Sequence, residues 1–339
     1  MLVSLKRTRL EAESIRLNLI GEALERDLKQ RGFNVKNLLR SHDAHHRSFE
    51  QVRKALDSRG INFSVEFAKS LNPEQLKDVD FVISVGGDGT LLETAQLVKT
   101  SHTPMLGINS DPESSTGKLC AYALRHKHDF DHCMHRIERG NFSWFYRSRV
   151  GLVMITKDGS HIQSERSALN EILVAEKDVC RPTMHQTKID DDAFGPVQRS
   201  CGVLVCSGSG STAWMHSAAS VRVDDAELIL EAAGAYDFKH LANRVSNVVN
   251  REFILPPSSS NVMYFIRELL YPSIPSVSSV SRREGSEPPR RGFANSVSVR
   301  SLGFDTYVFL DGLANIPVEN GTTCVMQIHP ERSLRTFVF

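Results

Sequence analysis

The stretch FVISVGGDGTLLETA, residues 81–95, constrains the fold more than any other part of the chain. Five strand-forming residues run directly into three glycines and one aspartate, and a helical pattern follows. A buried strand that passes through a glycine-rich turn into a helix is typical of strand–helix–strand units, which require a parallel sheet. Such a turn also presents backbone N–H groups at the positive end of a helix, where anions such as phosphate bind.

Strand-like and helical patterns alternate through the first 110 residues. Short apolar runs occur at LVSL (2–5), NFSVEF (62–67), FVISV (81–85) and MLGI (105–108). Helical patterns cover residues 11–39, 49–56 and 91–99. This alternation predicts a doubly wound, Rossmann-like α/β domain, whose ligands bind at the carboxyl ends of the strands. The GGDGT turn and Asn109, which follows MLGI, both fall at such ends.

From about Arg149 the pattern changes to strand-like runs joined mostly by turns. This predicts a second, β-rich domain of largely antiparallel strands, similar to a β-sandwich. The expected domains are residues 1–125, an α/β nucleotide-binding domain; 126–310, a β-rich substrate-binding domain with a surface loop at 271–296; and 311–339, C-terminal strands. One arrangement open to the C-terminal strands is that they pack against the first domain.

The composition excludes several classes of function. The chain has 41 basic and 40 acidic residues among 339, so no overall charge favours nucleic acid or an anionic membrane. No stretch approaches the roughly 20 apolar residues that span a bilayer. Six scattered cysteines without a CxxC pair are typical of reduced thiols in an intracellular protein. The basic N-terminus resembles a transit peptide, but we interpret Leu2–Leu5 as a first strand and expect no removable leader.

The GGDGT turn is the first candidate for chemistry. Gly86, Gly87 and Gly89 would let phosphate oxygens approach the main chain, and Thr90 would begin the helix. Asp88 could act as a general base on a substrate hydroxyl or help to hold Mg²⁺. The alternative is a tight turn in which Asp88 caps the helix. The sequence has neither a Walker-type GxxxxGK[ST] motif nor the HRD and DFG motifs of protein kinases.

A second candidate is GVLVCSGSGSTAW, residues 202–214. Gly208, Gly210 and Ala213 match the dinucleotide-binding pattern GxGxxA after a strand, although the β-rich half is an unexpected place for a strand–helix–strand unit. The alternative is a turn with a short helix. In either case the segment offers several hydroxyls, and Trp214 offers a face on which a flat ring can stack.

Two shorter candidates follow, together with one apparent metal cluster. Asn170-Glu171 places an amide beside a carboxylate, a pair that can bind the two hydroxyls of a ribose, whereas Asp311-Gly312 alone predicts a hairpin turn. Four histidines resemble metal ligands, but they lie opposite the apolar stripe of a predicted helix, and we interpret them as a solvated surface. They are His126, His128, His132 and His135. No protein metal site is expected.

Read in order, GGDGT, Asn-Glu, SGSGSTAW and Asp-Gly resemble the landmarks of the NAD kinase family over nearly the whole chain. The loop GINSDPESSTGKLC (107–120) resembles the mitochondrial, animal-type branch. The resemblance implies transfer of the ATP γ-phosphate, with Mg²⁺, to the adenosine 2′-hydroxyl of NAD, and it implies that Asp88 is the general base. The implied ATP and phosphate contacts are Gly86, Gly87, Gly89, Thr90 and Asn109. The implied NAD contacts are Asp88, Gly89, Asn170, Glu171, Arg199, Thr212, Ala213, Trp214 and Asp311.

The same resemblance implies a homodimer in the mitochondrial matrix, with the cytoplasm as the alternative location. The chain departs from the family pattern in three places. It lacks a proline before the glycines of SGSGSTAW, Cys201 stands where many members have an acid, and Ala121 with Tyr122 replaces an aromatic residue after the Asn loop.

Three other functions stay open from the sequence. A lipid or sphingoid-base kinase also carries GGDGT, but its turn is usually followed directly by Asn-Glu, and here Leu91-Leu92-Glu93 follows. An NAD-binding oxidoreductase could use Gly208-Ser209-Gly210, although that function leaves GGDGT unexplained. The third open function is that of a sensor, which binds a nucleotide and catalyses no reaction.

Overall fold

The computed structural model of the chain describes residues 1–270 and 289–339. The chain divides into two compact units, Met1–Tyr146 with Leu334–Phe339, and Arg147–Ser333. These boundaries differ from the expected ones near residues 125 and 310, and the function assigned to each domain stays a prediction.

The first unit contains most of the alternating elements. In chain order they are β1 Leu2–Leu5, α1 Arg9–Leu17, α2 Gly21–Gln30, α3 Val35–Asp57, β2 Ser64–Phe67, β3 Val82–Gly86, α4 Asp88–Ala95, β4 Met105–Asn109, β5 Tyr122–Ala123, α5 Asp129–Glu138 and β6 Ser143–Arg147. The four apolar runs predicted as strands in this region are therefore confirmed as β1 to β4.

The predicted long helix over residues 11–39 is wrong, because three helices occupy the region. Asn18, in the left-handed conformation with φ of 52°, ends α1. Gly32, with φ of 83°, follows the end of α2. The side chain of Asn34 then caps α3 by accepting the N–H of Asn37, and α3 continues through the segment predicted as a separate helix. Short polar turns thus interrupt a helical pattern whose apolar period carries on across them.

The second unit is mainly β-structure. Its elements are β7 Val150–Ile155, β8 His161–Gln163, β9 Glu171–Glu176, β10 Thr183–Ile189, β11 Gln198–Ser200, β12 Val203–Cys206, α6 Trp214–Ala219, α7 Val223–Ala232, α8 Phe238–Glu252, β13 Val262–Ile266, β14 Arg291–Ala294, β15 Ser296–Ser301, β16 Thr306–Leu310, β17 Ala314–Val318 and β18 Thr323–Ile328. The last strand, β19 Leu334–Val338, belongs to the first unit.

The sheet of the first unit has the strand order β2-β1-β3-β4-β19-β6, with β5 beside β4. The pairs among β1, β2, β3 and β4 are parallel, and β19 is parallel to β4. The chain moves from β1 to β2 in one direction and to β3 and β4 in the other, so a topological switch point lies between β1 and β3. The GGDGT turn follows β3 and therefore lies beside this switch point.

Helices cover the two faces of this sheet. One face packs Val3, Ile83 and Leu106 with apolar residues of α3 and α5, among them Leu56 and Phe130. On α4, the Thr94 hydroxyl bonds the Ser4 hydroxyl of β1 at 2.7 Å. Because successive strand residues point to opposite faces, Ser4 turns away from the side where Val3 packs. The prediction of a doubly wound α/β domain is confirmed.

The second unit is built on two six-stranded sheets, β11-β10-β15-β18-β7-β8 and β14-β13-β12-β9-β16-β17. One apolar core joins them, in which Leu152 and Val299 of the first sheet pack with Val174 and Val205 of the second. Alternate residues on the second sheet face outward and pack against Met215 of α6. The predicted sandwich-like architecture is confirmed, since two sheets with alternating inward residues share one core.

Helices α7 and α8 were not expected in the β-rich half. The predicted surface loop at 271–296 also needs correction at its end, because β14 pairs antiparallel with β13 through Val262 and Ala294. Residues 271–288 of that predicted loop lie outside the described part. No helix in the described ranges is long and apolar enough to cross a membrane.

Candidate functional site

The glycine-rich turn leads from β3 into α4. A Cβ atom on Gly86, the last residue of β3, would lie 2.3 Å from the hydroxyl oxygen of Thr90, so a larger residue there would displace that side chain. Around Gly89, nothing outside its own helix lies within 4 Å of the position of a Cβ. The backbone at Gly89 is therefore open to the approach of a ligand.

Asp88 does not cap the helix that it begins. The N-cap residue of α4 is Gly87, and no side chain forms a capping hydrogen bond. The Asp88 carboxylate instead accepts the backbone N–H groups of Lys118, at 3.0 Å, and Leu119, at 2.8 Å. The helix-cap alternative is wrong, because the carboxylate is oriented by the loop that follows β4.

Asn109 organises that loop. Its side-chain amide donates to the carbonyl oxygen of Ser115 at 2.9 Å, and its side-chain oxygen accepts the N–H of Asp111 at 3.1 Å. Gly117 adopts a left-handed φ of 58°, and a Cβ on it would lie 2.5 Å from the Asn109 amide nitrogen. Asn109 and Gly117 thus shape the turn that brings the two N–H donors to Asp88. The structure brings the six predicted turn residues together at one edge of the sheet.

A cleft of about 1270 Å³ opens beside this edge, between α3 and the segments that follow β4 and β5. Its lining carries both basic and acidic residues, and the basic ones include Arg47, Lys54, Arg125 and Lys127. Its acidic lining residues include Asp111, which pairs with Arg40 at 3.3 Å. The glycine turn does not line the cleft, so cleft and turn are neighbours rather than one site.

Asp311 is the central group of a second cluster, in the β-rich unit. Its backbone is left-handed, with φ of 49°. One carboxylate oxygen accepts the N–H of Leu169 at 2.8 Å, and the other accepts those of Asn170, at 2.8 Å, and Glu171, at 3.0 Å. The predicted hairpin turn at Asp311-Gly312 is confirmed, since it joins the antiparallel strands β16 and β17. The Asp311 carboxylate has a further role, which is to hold the backbone before β9 in one conformation.

The turn after β12 packs against the same backbone. The N–H of Ser207 donates to the carbonyl oxygen of Asn170 at 2.9 Å. A Cβ on Gly210 would lie 2.1 Å from that oxygen, and one on Gly208 would lie 1.8 Å from the carbonyl oxygen of Pro256. Because these glycines have no side chain, the turn after β12 can pack directly against the backbone of Asn170 and of Pro256. This packing helps to fix the position of Asn170 and Glu171.

Two polar atoms in this cluster have no hydrogen-bond partner in the described structure. They are Asn170 Oδ1 and Glu171 Oε2, and both are buried. Buried polar atoms are nearly always paired, so an unpaired amide oxygen beside an unpaired carboxylate oxygen suits a ligand that supplies hydroxyl or N–H donors. Burial, with a smaller contribution from the charge of Asp311, raises the pKa of Glu171 from 4.5 to about 7.

This raised pKa predicts a pH-dependent stability. Between about pH 5 and pH 7 the folded chain holds a proton on Glu171 that the unfolded chain has released, so the free energy of unfolding should fall as the pH rises through this window. We expect Glu171→Gln to be more stable than the parent at pH 8 and similar to it at pH 5. Urea unfolding of both proteins across this range measures the difference, and parallel pH profiles would contradict the assignment.

The other predicted NAD contacts are exposed or half-buried residues. Arg199 is exposed on β11, an edge strand of the other sheet, where it contacts the sulfur of Met184. Trp214 is 41% exposed, and its ring lies 5.2 Å from the guanidinium of Arg267. The backbone N–H of Arg267 donates to the carbonyl oxygen of Gly202, just before β12. Glu171 pairs with the opposite end of β12. The exposed Thr212 and half-buried Ala213 join the glycine turn to α6.

The pattern GxGxxA at Gly208 does not form a dinucleotide-binding unit. Strand β12, which precedes it, pairs antiparallel with β9 and with β13. The pyrophosphate-binding arrangement requires a parallel strand–helix–strand unit, which this sheet lacks around β12. The structure therefore removes the basis of the oxidoreductase alternative.

Comparison with known proteins finds similarity to NAD kinases. Residues 10–140 match the family described as ATP-NAD kinase N-terminal domain. NAD kinase 2, mitochondrial, of Rattus norvegicus is 28% identical over 385 residues, covering 100% of this chain and 87% of that protein. The chain is thus similar to NAD kinases over its whole length. Its human relative of the same name is 27% identical over 380 residues, covering 99% of this chain and 83% of that protein.

A solved structure shares the fold of this chain. The crystal structure of an NAD kinase from Archaeoglobus fulgidus in complex with ATP is 15% identical, with a TM-score of 0.57, and covers 99% of this chain and 93% of that chain. Identity at this level supports the fold, an α/β part followed by a β-rich part, and nothing finer.

Sequence reasoning missed some residues that shape the site. The backbone N–H groups of Lys118 and Leu119 orient Asp88, yet no side-chain pattern marks a backbone donor. Gly117 was the available signal, since a glycine shortly after Asn109 is consistent with a left-handed turn. Ser207 was noted only as a source of a hydroxyl, whereas that hydroxyl donates to the carbonyl oxygen of Leu169.

Proposed function

We propose that this chain is an NAD kinase, which transfers the γ-phosphoryl group of ATP to the adenosine 2′-hydroxyl of NAD and so produces NADP. The observation that carries the proposal is the position of Asp88, a carboxylate at the first residue of α4 in a turn otherwise suited to phosphate. A negative charge at the start of a helix opposes anion binding. A turn that only bound phosphate would therefore bind it more tightly without the aspartate. A carboxylate is useful there if a hydroxyl must lose its proton.

Asp88 would act as the general base. A carboxylate accepts about four hydrogen bonds, and the N–H groups of Lys118 and Leu119 occupy two of these directions. The thiol of Cys120, 4.0 Å from Oδ1, is a further weak donor, and the direction that remains is available to a substrate hydroxyl. The two N–H donors fix the carboxylate before substrate arrives, so its orientation need not be selected in each turnover.

The phosphate contacts would come mainly from backbone N–H groups. Gly86, Gly87, Gly89 and Thr90 form the turn, and Gly89 has open space around it. Asn109 would act by positioning, because its amide and its carbonyl oxygen are both engaged within the loop. Catalysis of this kind consists largely of positioning and charge stabilisation.

Mg²⁺ would enter with the triphosphate. In the described ranges, no group of three or more His, Cys, Asp or Glu with metal-ligand spacing includes Asp88. Mg²⁺ commonly keeps several waters and binds through substrate phosphates with one or two carboxylates, so such a group is not required. The ion would neutralise charge on the phosphate oxygens, while the protein supplies the glycine turn.

The dinucleotide would be held by Asn170 and Glu171, whose unpaired oxygens can accept ribose or adenine donors. Asp311 would fix their backbone rather than touch the substrate. Arg199, Thr212, Ala213 and Trp214 remain proposed NAD contacts on the family resemblance alone. Self-association as a dimer rests on that resemblance too, and a mitochondrial location rests on it together with the names of the relatives.

One assay separates the proposal from its rivals. The purified protein is incubated with ATP and Mg²⁺, and with NAD or a sphingoid base in parallel. We expect NADP from the first mixture and no phosphorylated lipid from the second. Phosphorylated lipid without NADP would select the lipid kinase, and NAD binding without any product would select the nucleotide sensor.

A further inference from the structure

A cluster of histidines and one carboxylate lies away from the glycine turn, where α1 meets α3. His42 and His46 are four residues apart on α3, so they share one face of the helix. Their ring centroids are 4.3 Å apart. Glu11 of α1 faces them, and one ligand atom from each of these three residues lies within 4.8 Å of the others.

The buried hydroxyl of Thr8 orders two members of this cluster. It lies 2.9 Å from Nδ1 of His42 and 3.0 Å from Oε2 of Glu11. If it donates to the carboxylate, it accepts from Nδ1–H of His42, which leaves Nε2 of that ring as the free lone pair. Hydrogen bonds of this kind orient and tune the ligands of metal sites in proteins.

Glu11 and His46 already lie close to the spacing of two metal ligands. Oε1 of Glu11 lies 3.0 Å from Nε2 of His46, while Oε2 of the same carboxylate is held by the N–H and hydroxyl of Thr8. Two ligands bound tetrahedrally to Zn²⁺ at about 2.1 Å are about 3.4 Å apart. A change of a few tenths of an ångström between Glu11 and His46 would therefore admit the ion in place of their hydrogen bond.

The charge and access of the cluster also suit a cation. The Glu11 carboxylate accepts hydrogen bonds from the N–H and hydroxyl of Thr8, and such bonds favour its charged form. A cleft of about 350 Å³ is lined by Glu11 and His42 and opens to solvent. It gives an ion a path of entry and leaves room for a water ligand.

We propose that Glu11, His42 and His46 form a binding site for a divalent transition metal ion, with Zn²⁺ as the ion that fits best. Two imidazoles and a carboxylate with one open position are a common zinc ligand set. The bound ion would fasten α1 to α3. Since α3 also carries His45 and Ser48, which bond Ser110 at the end of β4, the ion would brace the helix that supports the Asn109 loop. The proposal does not depend on the kinase activity.

The test uses the full-length protein, stripped with a chelator, desalted and titrated with Zn²⁺ in competition with a chromophoric chelator. We expect one equivalent of Zn²⁺ per chain and a higher Tm with Zn²⁺, because an ion that binds only the folded state stabilises it. Cobalt in place of zinc should give the visible d–d bands of a tetrahedral site. Absence of stoichiometric uptake by the parent protein would overturn the proposal.

Variants assign the ligands. His46→Ala, at an exposed residue that can be changed without loss of the fold, and Glu11→Gln should each weaken Zn²⁺ binding by at least about tenfold and abolish the Tm increase. Thr8→Val should weaken binding by about 10- to 100-fold, as expected for a group that only orients ligands. His132→Ala, an exposed histidine on α5, is the matched control and should bind as the parent does. Unchanged binding by His46→Ala and Glu11→Gln would also overturn the site.

Discussion

Replacing Asp88 by asparagine is expected to lower kcat for NADP formation by about 10²- to 10⁴-fold, which is the usual contribution of a general base. The amide cannot accept the proton of the ribose hydroxyl. It retains one oxygen that can accept an N–H from Lys118 or Leu119, so the loop should keep much of its conformation. Binding of NAD, measured by isothermal titration calorimetry, should therefore change little while turnover collapses.

The matched control for this variant is Glu93→Gln. Glu93 lies on the same helix, and burial raises the pKa of its carboxyl group. Because Glu93 is not a predicted contact of either substrate, the change should leave kcat near that of the parent. Turnover by Asp88→Asn close to the parent rate would show that Asp88 is not the base.

Asp311→Ala is expected to combine a large loss of stability with a loss of NAD binding. The substitution leaves the N–H groups of Leu169, Asn170 and Glu171 without their carboxylate acceptor in a buried place. Each buried donor left unpaired costs roughly 1–3 kcal/mol, so the free energy of unfolding should fall on the order of 3 kcal/mol or more. Urea unfolding measures the loss, and NAD titration of the folded variant measures the effect on binding.

Two further variants show whether the effect comes from these hydrogen bonds. Asp311→Asn keeps one side-chain oxygen for Asn170 and Glu171 and should fall between the parent and the alanine variant. Asp305→Ala removes an exposed carboxylate just before β16, the strand that leads to Asp311, and should be nearly neutral. An alanine variant of Asp311 as stable as the parent would contradict the positioning role.

The local sequence pattern was sufficient to predict the strands of the first unit and the GGDGT turn. FVISV followed by GGDGT predicts both a buried strand and a turn, because apolar content and glycine spacing act within a few residues. The end of the predicted first helix failed for the opposite reason. Asn18 and Gly32 are single left-handed residues, and the apolar period that favours a helix carries on across them.

The cluster around Asp311 depends on contacts far apart in the sequence. Asp311 accepts hydrogen bonds from residues about 140 positions earlier, and no local pattern records such a pairing. The family resemblance marked Asp311 as a substrate-side residue, whereas the geometry gives it a structural task. Similarly, the function of Gly210 becomes clear only when the carbonyl oxygen of Asn170 is seen beside it.

Transfer of a phosphoryl group from ATP to the 2′-hydroxyl of NAD can be followed with ATP labelled at the γ-phosphate. The protein is supplied with this ATP, Mg²⁺ and NAD, and the label is located in the purified product by ³¹P NMR and by reduction with an NADP-specific dehydrogenase. We expect labelled NADP from the parent protein and almost none from Asp88→Asn. Label released only as inorganic phosphate, or attached at another position of NAD, would contradict it.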